Sequence, residues 1–133
     1  MILVDSSVWI DYLDGTHNSS TQALDALLLD GGAPVAMADL VVFEVLRGFR
    51  SGLRLDQART LFMTLPQLQI GGTDNAVDAA DHYRALRSMG YTIRSPIDVL
   101  LASYCIRHGH VLLHRDADFD VIETLRGLQT WPH

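Results

Sequence analysis

The sequence predicts an α/β protein with a central parallel sheet covered by helices on both faces. Short apolar runs alternate with stretches of helical periodicity along the whole chain, punctuated by glycine, proline and polar caps. That alternation is the mark of parallel strands joined by crossover helices. The runs themselves are apolar throughout, without polar residues at alternate positions, as in strands buried on both faces. A length of 133 residues fits one domain and allows roughly two-thirds of the unfolded chain's surface to be buried.

Met1-Ile2-Leu3-Val4 reads as the first strand and ends on Asp5. Ser6 or Ser7 suits the N-cap of the helix that follows through Val8, Trp9 and Leu13. Asp14-Gly15 stops that pattern, and residues 17–20 form a polar loop with several possible caps. Residues 21–30 read as a helix with Leu24, Leu27 and Leu28 on one face, ended by Gly31-Gly32. Residues 34–38 read as a second buried strand, and Asp39 caps a helix over 40–50. Gly52 separates this from a helical pattern over 56–65, closed near Pro66. Residues 68–70 form a short strand before Gly71-Gly72, and Thr73 or Asp74 opens a long helix that reaches Met89. Ser95-Pro96 is a strong helix start, with serine at the N-cap and proline at the first helical position. That helix runs to His108 and stops at Gly109. Residues 110–114 form the clearest later strand, 118–126 the last helix, and 128–130 an edge strand.

The charge is unusual in kind. The acids are 14 Asp with only Glu44 and Glu123, and all ten basic residues are Arg. A net charge of −6 argues against broad electrostatic adhesion to nucleic acid. It leaves room for a nucleic-acid enzyme whose acids are gathered at one site and offset by cations. Without lysine, neither P-loop nor Schiff-base chemistry is available. The single cysteine, Cys105, excludes an internal disulfide and fits a reducing, cytoplasmic setting. The N-terminus carries no basic segment leading into an apolar one, so no secretory signal is expected, and no apolar run approaches a membrane span.

Four acids stand out by position. Asp5 ends the first strand, at the sheet edge where open α/β folds bind ligands. Glu44 is the only acid within Leu40-Val41-Val42-Phe43-Glu44-Val45-Leu46. Asp98 lies in the first turn of the Ser95-Pro96 helix. Asp116 follows the last strong strand, with Asp118 two residues on. Each has a plainer reading. Asp5 suits a helix entry, Glu44 could pair with Arg47 one turn on, Asp98 suits a helix N-terminus, and Asp116 and Asp118 suit a turn and cap. Asp11, Asp14, Asp25, Asp30, Asp56, Asp78 and Asp81 read as solvated charges. If the four converge, two carboxylates about 4 Å apart repel by ~4 kcal/mol at an effective dielectric of about 20. Protonation or a cation must then intervene. All-oxygen ligands select hard ions, so Mg²⁺ or Mn²⁺ is expected. The histidines at 17, 82, 108, 110, 114 and 133 offer no paired zinc motif. A carboxylate-held hard ion at a strand edge serves phosphate chemistry by activating water and stabilising charge.

The segments Ile2-Leu3-Val4-Asp5-Ser6-Ser7-Val8-Trp9-Ile10, Glu44-Val45-Leu46-Arg47-Gly48, Arg94-Ser95-Pro96-Ile97-Asp98 and His114-Arg115-Asp116-Ala117-Asp118-Phe119 together resemble a PIN domain. More closely, they resemble the VapC toxins of bacterial VapBC toxin–antitoxin modules, over essentially the whole chain. The resemblance implies a single PIN domain over 1–133 with a five-stranded parallel sheet. It implies an Mg²⁺/Mn²⁺-dependent endoribonuclease in which Asp5, Glu44, Asp98 and Asp116 bind metal and Asp118 assists. It further implies structured RNA as substrate, commonly tRNA, a VapB-type antitoxin as partner, and a homodimer. Where the family commonly has threonine after the first aspartate, this chain has Ser6, which keeps the hydroxyl and could orient Asp5 or a water. Arg94 and Arg115 flank the acids and could hold phosphates. His114 has an ordinary pKa near neutrality, but two-metal chemistry needs no protein base, so it stands outside the catalytic set. Three rival readings are weighed. A response-regulator receiver needs a lysine that is absent. A PIN-like binding module would have lost its acids, and they are intact. An RNA-processing nuclease would have no antitoxin. Of the aromatics Trp9, Tyr12, Phe43, Phe49 and Phe62, most are expected in the core.

Overall fold

The computed structural model describes residues 1–31 and 34–132. Its elements run β1 (Ile2–Val4), α1 (Ser6–Leu13), α2 (Ser19–Asp30), β2 (Val35–Ala38), α3 (Asp39–Leu46), α4 (Leu53–Met63), β3 (Gln67–Leu68), α5 (Thr73–Ser88), α6 (Pro96–His108), β4 (Val111–Leu113), α7 (Ala117–Arg126) and β5 (Gln129–Thr130). The strands form one sheet in the order β3-β2-β1-β4-β5, and every pair is parallel. The chain therefore winds outward from β1 in one direction and then returns to β1's other side. Right-handed crossovers place α1–α4 on one face and α5–α7 on the other. The packing agrees: α1 lies on α2 and α3, α3 on α4, while α5 packs on α6 and both touch α7.

β1 is central, and Ile2, Leu3 and Val4 are all buried, as are all four residues of β2. On the α1–α4 side, Trp9 is fully buried and meets Phe62 edge-to-face at 5.1 Å and Tyr12 at 6.1 Å. Phe119 and Ile122 of α7 close the other side. Cys105 is buried and inert, its thiol pushed up to about 12 by burial. Among the described helices, none is long and apolar enough to cross a membrane.

Several boundaries move for identifiable reasons. The N-cap of α1 is Asp5 itself, not Ser6 or Ser7, which are its first two helical residues. α2 begins at Ser19 because Asn18 and Thr21 form a reciprocal capping box. Its C-cap Gly31 is left-handed, at φ 65°; Gly32 lies outside the described residues. α3 stops at Leu46, not 50, since the Gly48 and Phe49 amides reach back only three residues, to the Val45 and Leu46 carbonyls. β3 ends at Leu68 because the Ile70 amide donates to Asp39 Oδ1 at 2.7 Å. Asp39 is thus a cross-chain tie and not the cap of its own helix, which is Ala38.

A second tie matters more for the site. Asn75, 7% exposed on α5, donates through Nδ2 to the Ile70 carbonyl (2.8 Å) and the Leu100 carbonyl (3.0 Å) of α6. Asn75→Ala removes both of these bonds. A loss of about 1–3 kcal/mol in urea-unfolding free energy is expected, and a change under a few tenths would contradict this assignment.

Candidate active site

The sheet reverses its winding between β1 and β4, and the crevice at the carboxyl ends of those strands is where this topology places a ligand. The sequence delivers its acids to that edge. Asp5 follows β1 directly with extended backbone. Its amide donates to the Leu113 carbonyl of β4 at 3.0 Å, and its own carbonyl accepts from the Val8 and Trp9 amides at 3.2 Å each. The carboxyl is thereby fixed at the top of the sheet and is only 4% exposed. Burial pushes its pKa up, the Ser7 hydroxyl and nearby amides pull it down, and Asp116 adds to the rise.

Asp98 is the third residue of α6, behind the Ser95 cap and Pro96, and is 8% exposed. Its pKa is raised from an ordinary 3.8 to about 7, first by burial and then by the charges of Asp5, Glu44, Asp116 and Asp118. One carboxyl that feels four others locates all five in a single electrostatic neighbourhood. Glu44 arrives on α3, the helix after β2. Burial pushes its pKa up and Asp5 adds to this, while the Ser6 hydroxyl and Arg47 oppose it. Glu44 Oε1 is buried with no hydrogen-bond partner among the described residues, and such an oxygen wants a water or a cation. Asp116 is the N-cap of α7, its Oδ1 accepting from the Asp118 amide at 2.9 Å. Asp118 is partly buried and faces Arg94 Nε at 4.0 Å.

The predicted set Asp5, Glu44, Asp98, Asp116 and Asp118 thus converges. Its donors are all carboxylate oxygens, the chemistry of a hard divalent cation. Among the described residues, no three acids are already drawn to ligating distance of one point, so a cation would have to pull them inward against their mutual repulsion. The supporting residues differ from expectation. Ser7, not Ser6, donates to Asp5 Oδ2, at 2.6 Å, while Ser6 serves Glu44. Arg115 is anchored by Asp11 Oδ2 at 2.5 Å, so Asp11 is no mere solvated charge. Arg94 is 86% exposed at the mouth. Of the five aromatics, Trp9 and Phe62 are core, Tyr12 and Phe49 pack partly against it, and Phe43 stays 56% exposed with Arg47 over its ring.

The raised carboxyls set a pH dependence of known sign. A carboxyl whose folded-state pKa lies above its unfolded value binds its proton more tightly when folded, so stability falls as pH rises between the two values. For Asp98 that window runs from 3.8 to about 7. Metal-free protein is therefore expected to melt at a higher temperature at pH 5 than at pH 8, with Asp98→Asn flattening much of the difference. A wild-type melting temperature that rises across this window would contradict the electrostatic reading of the cluster.

Comparison with known proteins agrees with this geometry. The PIN domain family model matches residues 2–125. Ribonuclease VapC11 of Mycobacterium tuberculosis is 39% identical over 132 residues, covering 97% of this chain and 96% of that protein. The VapC ribonuclease Mb1587 of Mycobacterium bovis matches to the same extent. Among solved structures, VapBC2 from Rickettsia felis, bound to a DNA fragment from its promoter, superposes with a TM-score of 0.75 at 15% identity, covering 98% of both chains. Mycobacterium tuberculosis VapC20, described as a Sarcin-Ricin loop cleaving toxin, gives 0.66 at 16% identity, covering 90% of this chain and 93% of that one. An all-parallel sheet of this order, acids gathered at its switch point and 39% identity along almost the whole length lead to one conclusion: the chain belongs to the PIN-domain family, among the VapC ribonucleases.

Proposed function

We propose that this protein is a metal-dependent endoribonuclease toxin that hydrolyses phosphodiester bonds of structured RNA, tRNA first among the candidates, and is neutralised by a VapB-type antitoxin. The observation that carries the reading is the gathering of five carboxyls at the β1/β4 edge, with Asp98 raised to about 7 and Glu44 Oε1 buried without a partner among the described residues. The chain's 39% identity to ribonuclease VapC11 over 132 residues supports the RNA substrate.

In this reading Asp5, Glu44, Asp98 and Asp116 hold Mg²⁺ or Mn²⁺, with Asp118 assisting at the rim. When bound, such an ion supplies an acidified water and offsets charge on the attacked phosphate. The protein does the rest. Asp5 and Asp116, held by backbone bonds on either side of the switch point, keep their carboxyls from retreating into solvent. Ser7 holds Asp5 Oδ2, and the Ser6 hydroxyl favours the ionised form of Glu44. Arg115, steadied by Asp11, keeps most of its guanidinium donors for a phosphate of the RNA backbone, and Arg94 offers a second cation at the mouth. For the antitoxin, a cleft of about 450 Å³ lies between α1, the end of α3 and the start of α4. Its walls include Ile10, Val45, Phe49 and Leu53 with Arg50, while Arg54 there is paired with Asp14, a surface suited to a peptide that carries mainly apolar residues. A homodimer and a cytoplasmic setting complete the proposal.

Purified protein incubated with bulk tRNA in Mn²⁺ is the direct test. Discrete fragments are expected, abolished by EDTA and restored by Mn²⁺. Asp98→Ala should lower the rate by about 100-fold or more, the scale of losing one charge-stabilising group. Cleavage that survives both EDTA and Asp98→Ala would overturn the proposal.

A further inference from the structure

We propose that His114 is a positioning residue for the acid cluster: as a buried hydrogen-bond acceptor it fixes the β4–α7 turn that carries Asp116. The inference rests on the metal-centre reading above. His114 follows β4 immediately, and the register that pairs Val4 with Leu113 brings Asp5 and His114 to the same level of the sheet edge. It is 0% exposed. Its Nδ1 accepts from the Asp116 amide at 3.2 Å, its ring lies 5.0 Å from that of Phe119, and its Nε2 is 3.8 Å from Asp120 Oδ1.

These contacts bind one ring to three successive features of the turn. To accept at Nδ1 the ring must carry its proton on Nε2, the side facing Asp120. The Asp116 amide is thereby spoken for, and Asp116 Oδ1 is held in turn by the Asp118 amide. The Asp116 carbonyl also accepts from the Phe119 amide at 3.1 Å, so its amide, its carbonyl and one side-chain oxygen are each held, which restricts where its second oxygen points. A buried polar ring in the core is costly to desolvate, and a leucine would pack more simply at that position. What the imidazole adds is the acceptor. Outer-sphere partners of this kind typically govern metal affinity by 10–100-fold.

The test compares His114→Phe with His114→Asn. Phenylalanine keeps a ring against Phe119 but has no acceptor, whereas asparagine Oδ1 lies close to where Nδ1 was. Mn²⁺ binding is measured by calorimetry and by electron paramagnetic resonance, with melting temperature and circular dichroism in parallel. His114→Phe is expected to bind Mn²⁺ about tenfold more weakly, and His114→Asn to recover most of that loss even if it melts lower. Equal affinity in wild type and His114→Phe overturns this inference alone. Equal weakening in both variants also overturns it, by assigning the effect to packing. A wild-type chain that binds no Mn²⁺ overturns the metal-centre reading, and this inference with it. Should His114→Phe not fold, nitrogen NMR of the wild-type ring decides: an unprotonated Nδ1 with a slowly exchanging Asp116 amide is expected, and a protonated Nδ1 contradicts the proposal.

Discussion

The structure depends on a carboxyl it would rather not bury. β1 lies at the centre of the sheet, and the residue that ends it, Asp5, is 4% exposed with Asp98, Glu44, Asp116 and Asp118 within electrostatic reach. Like charges gathered at one edge repel one another, and burial adds to the cost of ionising them. The fold tolerates this because nearly every acid sits at a helix start. Asp5 and Asp116 are the N-caps of α1 and α7, and Asp98 and Asp118 lie in the first turns of α6 and α7. Unpaired amides and helix dipoles there favour negative charge. Glu44 alone lacks this help, being inside α3, and its orphaned Oε1 shows where compensation is missing.

The parallel sheet explains why these helix starts coincide. In a doubly wound sheet every strand ends and every following helix begins at the same edge, and the winding reverses between β1 and β4. The elements that carry Asp5 and Asp116 are therefore neighbours, although 111 residues separate them. Charge outside the edge is handled differently. Arg54 is paired with Asp14 and Arg107 with Asp78, and Glu123, the other glutamate, takes the Thr130 hydroxyl at 2.6 Å beside β5.

Most of this was legible in the sequence because it follows from period and punctuation. Continuous apolar runs marked the buried strands, and Ser95-Pro96 and Gly109 bounded α6 to within a residue. The acids could be picked out because position, not residue type, separated them from ten other aspartates. What escaped was anything that joins distant residues or depends on helical phase. Nothing local says that Ser7 and not Ser6 turns toward Asp5, since a single helical step of 100° decides it. Nothing local joins Asp11 to Arg115, or Asp39 to the Ile70 amide that shortens β3. His114 looked like a residue near its titration range, whereas complete burial makes it part of the framework.

The central claim is that the buried acids at the β1/β4 edge make this chain an RNA-cleaving enzyme. It is tested most directly by mapping new RNA 5′ ends in cells after induction of wild type or Asp5→Asn, both soluble and free of antitoxin. The account predicts a small number of sharp new ends with wild type and none with Asp5→Asn, and those ends name the substrate. Identical maps for the two proteins would contradict it and would leave the acid cluster as a feature of structure and binding alone.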